Sequence, residues 1–396
     1  MRVLHVISSL DPSAGGPPMV VSRLAAAQAR QGHDVHLVCY RVPKAEKEVH
    51  TSLAKLPGGD VLKVHFLDPA DRKEWYLSGR AREAMSGLLS GAAGGTGKFD
   101  AVHLHGLWDP ILKAGADVAW KHGVPYVIAP HGMLDAWALT EKPFKKKIAL
   151  ALGYKRMIRR AGLMHALSEY ERECIAGHGW NPRVSIIPNG VFLEEIDPLP
   201  PKGEFYAKHP ELGPPTAPFV LFLARLHAVK GIDLLVDAMA ANRTKHPDVR
   251  LVVAGPDFGV KAELEAQIAR LGLGDRVFLV GPLWGHDKLA ALSDACCFSL
   301  PSKHEGFSMS IAEALAARLP VVITENCHFP EVAQVGAGVV VKREVAQVAR
   351  GLDAVLSDAA ARARMGAAGR KLIEERYTWD RVAQKSVEEY ARMPRA

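Results

Sequence analysis

The chain lacks several features that would fix its class at once. No run approaches the roughly 18 consecutive apolar residues of a membrane-spanning helix. Its five cysteines, Cys39, Cys174, Cys296, Cys297 and Cys327, are odd in number and include no Cys-x-x-Cys. This argues against a disulfide framework or a thiolate zinc site and for a reducing compartment. The opening stretch Arg2-Val3-Leu4-His5-Val6-Ile7-Ser8 is short and soon interrupted by Asp11 and Pro12, unlike a secretory leader. A cytoplasmic location is expected, with a peripheral position on the inner face of the plasma membrane left open. There is no low-complexity tract and no short repeat. The first turn is not Gly-x-Gly-x-x-Gly, which disfavours a bound dinucleotide.

What is present is an ordinary globular composition, 48% hydrophobic and 23% charged, with a net charge of +7. A mildly basic chain suits anionic partners: a charged substrate, an anionic membrane or nucleic acid. No recognised nucleic-acid-binding module accompanies the charge, so nucleic acid is not expected. The 396 residues suit two domains of about 200 residues each. Short apolar runs, at 3–7, 35–39, 61–67, 101–105, 126–129, 162–167 and 184–187, alternate with helical stretches. A proline-rich segment over 197–218 reads as a linker. The pattern then restarts at 219–224, 250–254, 277–280, 296–301, 320–324 and 339–341. Alternation of this kind predicts an α/β protein with two Rossmann-like, doubly wound domains. They are expected over 1–200 and 201–375, with a C-terminal helix over 376–396 packing back toward the first.

In open parallel sheets, ligands sit beyond the carboxyl ends of the strands. Gly15-Gly16, His105-Gly106 and His131-Gly132 fall on that edge in the first half. His103, one residue inside its strand, reads as a packed histidine, whereas His131 precedes a sharp turn. In the second half Arg225 and Lys230 flank a turn after a strand, and two cations there call for a counter-ion such as a diphosphate. The most informative stretch is His304-Glu305-Gly306-Phe307-Ser308-Met309-Ser310-Ile311-Ala312-Glu313. It reads as strand, tight turn and helix, with one carboxylate on either side of a helix N-terminus that offers free N–H donors to an anion. Glu313 has a second reading, as the partner of Ser310 in a capping box. Residues 144–160 form the most basic stretch and read as one long amphipathic helix. Its apolar side either packs inward or, over 142–160, meets an anionic membrane surface.

On these motifs the chain resembles the retaining glycosyltransferases of family four, which have the GT-B architecture. The resemblance rests on Glu305 and Glu313 as a Glu-x7-Glu pair. It rests also on Ala-Arg-Leu-His-Ala-Val-Lys-Gly at 224–231, the Gly15-Gly16 turn, Pro-Asn-Gly-Val at 188–191 and Phe-Pro-Glu-Val at 329–332. Pro-His-Gly-Met-Leu-Asp at 130–135 is similar to the branch that builds bacterial exopolysaccharide, capsule or O-antigen. The resemblance implies a cleft between the domains and a nucleotide-sugar donor. Arg225 and Lys230 would hold its diphosphate, Glu313 the ribose and Glu305 a sugar hydroxyl. Amides of Gly306, Phe307 and Ser308 would meet sugar and phosphate, Gly15 and Gly16 the phosphate side, Leu283 the base, and His131 the reacting sugar. Ala224 stands where the family more often has glycine, which puts close backbone packing there in doubt. The sequence has no Asp-x-Asp, so cations and helix N-termini, with no metal or other cofactor, are expected to stabilise the leaving group. The acceptor is expected to be a glycan or lipid-linked. Two alternatives remain: a nucleotide-sugar epimerase or hydrolase of the same fold, and a non-catalytic nucleotide-sugar-binding scaffold.

Overall fold

The computed structural model describes residues 1–11, 16–91, 98–140 and 143–394, so Gly15 lies outside the described residues. The chain folds as two compact units, Met1–Asn189 with Trp379–Ala396, and Gly190–Thr378.

The first unit is built on a seven-stranded parallel sheet of order β3-β2-β1-β4-β5-β6-β7. The strands are β1 Arg2–Val6, β2 Asp34–Tyr40, β3 Lys63–Leu67, β4 Ala101–His105, β5 Tyr126–Ala129, β6 Leu163–Ala166 and β7 Val184–Ile186. Their central members are buried on both faces, which is why they read as continuous apolar runs rather than alternating ones. The second unit holds a six-stranded parallel sheet of order β10-β9-β8-β11-β12-β13. Its strands are β8 Phe219–Leu223, β9 Arg250–Ala254, β10 Val277–Gly281, β11 Cys297–Leu300, β12 Val321–Thr324 and β13 Gly338–Val341. In both sheets the order reverses beside the first strand, between β1 and β4 and between β8 and β11. Loops leaving the two strands in opposite directions open a crevice there.

Several local expectations are corrected. The second unit begins at Gly190, not at 201. Val191 N–H donates to Tyr377 O at 2.8 Å, and Phe205, Tyr206 and Leu212 are buried in the second core. The proline-rich stretch is therefore a strap anchored by apolar side chains rather than a free linker. The C-terminal helix runs Trp379–Ala391 and packs in the first unit, burying Trp379, Val382 and Tyr390. Arg30 pairs there with Asp380. The basic stretch is not one helix. Pro143–Ala149 and Lys155–Arg160 are separate segments, because Leu152 and Gly153 leave helical geometry, Gly153 with φ 108°. Helices at Glu46–Lys55, Arg72–Leu77 and Ala136–Thr140 were not anticipated; the first is largely polar and the other two are too short to show a helical period.

The concern raised by Ala224 is met by a neighbour. Gly255, at the end of β9, has φ 155°, and a Cβ on it would lie 1.8 Å from Ala224 O. Close backbone approach is thus supplied from the opposite side. Gly255→Ala is expected to destabilise the second unit by about 2–4 kcal/mol, read as a lower urea midpoint. An unchanged midpoint would mean that this loop yields freely.

Candidate functional site

The second unit places its site at the reversal point of the sheet. Arg225 follows β8 by two residues and Glu305 follows β11 by five. The loop after β8 turns at Gly231 (φ 71°), where a Cβ would lie 2.1 Å from Pro301 O. Only glycine lets this loop lie against the end of β11. That contact brings Lys230 to Glu305. Lys230 Nζ donates to Glu305 Oε1 at 2.6 Å and to Oε2 at 2.9 Å, and Ser302 Oγ donates to Oε1 at 2.6 Å. Glu305 is 7% exposed, so the carboxylate is desolvated and compensated by a cation and a hydroxyl. The two cations were read from sequence as lacking a counter-ion; the fold supplies one for Lys230. Its third N–H is not used by Glu305. Arg225 is exposed, its guanidinium lies 5.1 Å from the centroid of the Phe258 ring, and no carboxylate among the described residues pairs with it.

Behind Glu305 the helix Met309–Ala316 starts with Ser308 as its N-cap, whose Oγ accepts from Ile311 N–H at 3.4 Å. The cap is Ser308, not Ser310, so the capping-box reading of Glu313 is overturned: the partner position is Ile311, and Glu313 lies two residues further in. Its carboxylate accepts from Lys288 Nζ at 2.8 Å. Sequence reasoning missed Lys288. It sits in the first turn of the helix Gly285–Asp294, where a cation opposes the helix dipole; that oddity was its available signal. The Phe307 ring packs against Phe329 and Tyr377 at 5.4 and 5.8 Å, which leaves its backbone as the part free to address a ligand. A Cβ on Gly306 would meet nothing within 4 Å. Leu283 is buried in the turn after β10.

In the first unit Gly16 opens the exposed start of the helix Gly16–Arg30. His131 follows β5 with φ 52° and Gly132 has φ 78°, a left-handed pair that costs the histidine about 1 kcal/mol. Glu171 holds this turn. Gly132 N–H donates to its Oε1 at 2.6 Å and Leu167 N–H to its Oε2 at 2.7 Å. The pattern Ser168-x-x-Glu171 has capping-box spacing, and Ser168 does cap that helix. The carboxylate's second task was not legible, because β5 and β6 come together only in the sheet.

Behind His131 lie four more histidines that sequence alone did not connect. His105 Nδ1 is 3.4 Å from His131 Nε2, and His105 Nε2 is 2.9 Å from His5 Nδ1. His103 Nε2 is 3.2 Å from His165 Nδ1. Burial lowers the pKa of His131 to about 3 and of His5 and His165 to about 4, and pushes His103 and His105 well down. All are neutral at neutral pH. One nitrogen from each of His5, His103 and His105 lies within 4.8 Å of the others, close enough to suggest a metal. Yet all six ring nitrogens of that trio already have hydrogen-bond partners, so a metal would have to displace them.

The family described as "Glycosyl transferase 4-like domain" matches residues 15–190, and "Glycosyl transferases group 1" matches 207–372. The chain is 27% identical over 408 residues to the GDP-mannose:cellobiosyl-diphosphopolyprenol alpha-mannosyltransferase of Xanthomonas campestris, covering 98% of this chain and 96% of that one. It is 30% identical over 311 residues to the D-inositol 3-phosphate glycosyltransferase of Streptomyces bingchenggensis, covering 74% and 67%. Among solved structures, HepE of Anabaena in complex with UDP superposes with a TM-score of 0.76 at 20% identity, covering 99% of this chain and all of that one. A Rossmann-like α/β unit in each half, the Glu-x7-Glu stretch at a sheet reversal and these similarities agree: the chain belongs to the family-four, group 1 glycosyltransferases of GT-B fold.

Proposed function

We propose that the protein is a retaining, metal-independent hexosyltransferase that moves a sugar from a nucleotide-sugar donor to a lipid-linked or polysaccharide acceptor in bacterial surface-glycan synthesis. The observation that carries this reading is the Lys230–Glu305 pair, with Arg225 on the same loop after β8. It presents cationic donors and a carboxylate acceptor together at one sheet edge. Breaking an anomeric C–O bond leaves negative charge on the diphosphate. Arg225 and the free N–H of Lys230 meet that charge, aided by amides at the start of the helix Met309–Ala316. Of the roughly four acceptor positions on the Glu305 carboxylate, Lys230 and Ser302 take three, which leaves one for a sugar hydroxyl. Glu313 takes the ribose hydroxyls and Leu283 flanks the base. By the family resemblance we assign Gly15 and Gly16 to the phosphate and His131 to the donor sugar. Attack comes from the face the diphosphate leaves, with a departing phosphate oxygen accepting the acceptor's proton. A relative whose name includes a GDP-mannose donor and a diphosphopolyprenol-linked acceptor supports the lipid-linked acceptor.

The test is turnover by the purified chain with UDP-, GDP- and ADP-sugars, the donor being chosen by which one raises the melting temperature. Activity is expected to survive EDTA unchanged. Loss with EDTA and recovery with magnesium would end the metal-independent reading. Product formed from donor alone would favour the epimerase or hydrolase.

The basic segment supports membrane contact. Phe144, Ile148 and Leu152 are 74%, 43% and 70% exposed, and Lys145, Lys147, Arg156 and Arg159 lie along the same stretch. Apolar side chains that enter the headgroup layer beside cations that attract anionic lipid are the elements of an interfacial anchor. Phe144→Ser combined with Leu152→Ser is expected to lower partitioning onto anionic vesicles about tenfold. Equal sedimentation of variant and parent would remove this surface from consideration.

A further inference from the structure

The histidines behind His131 form a chain whose proton positions follow from its far end. Gln28 Nε2 donates to Ser386 Oγ at 2.7 Å and to Tyr390 Oη at 3.2 Å. Ser386 Oγ spends its own proton on Ala383 O, so it can only accept from Gln28. The amide orientation of Gln28 is therefore set, and its Oε1, 2.7 Å from His5 Nε2, is an acceptor. His5 must carry its proton on Nε2. Its Nδ1 is then bare and accepts from His105 Nε2. That leaves His105 Nδ1 bare, and it accepts from His131 Nε2. One neutral imidazole carries one N–H, so each step decides the next.

A second branch agrees. His165 Nε2 faces the carbonyl of Ile187 at 2.5 Å and must donate to it. His165 Nδ1 then accepts from His103 Nε2, and the bare His103 Nδ1 accepts from Tyr390 Oη at 2.7 Å. Tyr390 Oη meanwhile accepts from Gln28. Both branches close without a clash of two donors or two acceptors. Burial keeps the rings neutral, which is the condition for the chain to have one polarity.

We infer that Gln28, acting through His5 and His105, is a positioning residue that holds His131 as its Nε2–H tautomer, so that Nδ1 accepts a hydrogen bond from a ligand hydroxyl. His131 Nδ1 has no partner among the described residues. A bare imidazole nitrogen attracts a hydroxyl and repels a phosphate oxygen, so the chain selects for the sugar portion of a donor at this position and against its phosphates. The ligand assignment rests on the proposed glycosyl transfer; the tautomer does not.

The test is nitrogen-15 NMR of the full chain labelled at histidine, with His131 assigned by comparison with His131→Gln. A proton on Nε2 and a bare Nδ1 are expected in the parent; a proton on Nδ1, or exchange between the two forms, overturns the inference. Gln28→Leu removes the acceptor at the head of the chain and is expected to mix the tautomers of His131 and lower kcat/KM about tenfold. Tyr390→Phe removes an equally buried polar group but leaves Gln28 Oε1 facing His5, and is expected to keep the parent tautomer. If both variants change the His131 spectrum alike, general loosening explains the effect and the relay fails. Should His131→Ala keep full turnover while the parent tautomer is as stated, the proposed donor role of His131 falls and the relay stands.

Discussion

Arg225→Ala and Lys230→Ala are each expected to lower turnover by about 10²–10³-fold, because each removes a donor aimed at charge that grows in the transition state. Their effects on stability should differ sharply. Arg225 is exposed, and its guanidinium lies over the Phe258 ring, so its loss is expected to cost within about 0.5 kcal/mol. Lys230 neutralises a carboxylate that is 7% exposed. Removing it strands Glu305 with Ser302 alone, at about 2 kcal/mol. The double variant Lys230→Ala with Glu305→Ala removes the stranded charge and is expected to regain part of that stability while staying inactive. Urea melts and initial rates on the four proteins separate the two roles. Turnover retained in the double variant would make the pair an internal tie rather than a donor site.

Acidification is expected to unfold the first unit in a range where many proteins are still stable. His5 and His165 have pKa values of about 4 in the fold against 6.5 for an ordinary histidine, burial being the main cause. Below pH 6.5 the unfolded chain binds protons that the folded chain refuses, so stability falls as the pH drops toward 4. By about pH 5 each such histidine removes about 2 kcal/mol, against a total of about 5–15 kcal/mol for a domain. Six of the seven tryptophans belong to the first unit, and the seventh is Trp284. Tryptophan fluorescence in urea therefore reports mainly that unit. Its midpoint should fall steeply between pH 7 and 5, and His5→Asn should flatten the dependence by close to one proton. A midpoint equal at both values would show that the rings accept protons without loss of structure.

How much of this was readable in advance varied with the kind of interaction. The strands were legible because a parallel sheet covered on both faces demands continuous apolar runs, as at Phe219–Leu223 and Tyr126–Ala129. The positions of Glu305, Arg225, Lys230 and the His131 turn beyond strand ends were legible because a turn follows each apolar run directly in sequence. The break at Leu152 and Gly153 was missed, since amphipathic spacing continued through it.

The sequence by itself determined the two α/β halves and the polar residues at their strand ends, because both follow from local pattern: apolar runs of strand length and turn chemistry between them. Only the tertiary structure decided partners. Lys230 with Glu305, Lys288 with Glu313, Glu171 with Gly132, and Gln28 with His5 are separated by 75, 25, 39 and 23 residues. No periodicity links such pairs. They meet because strand order, not chain order, sets which loops are neighbours, and burial then favours a partner for most of the polar groups brought together there.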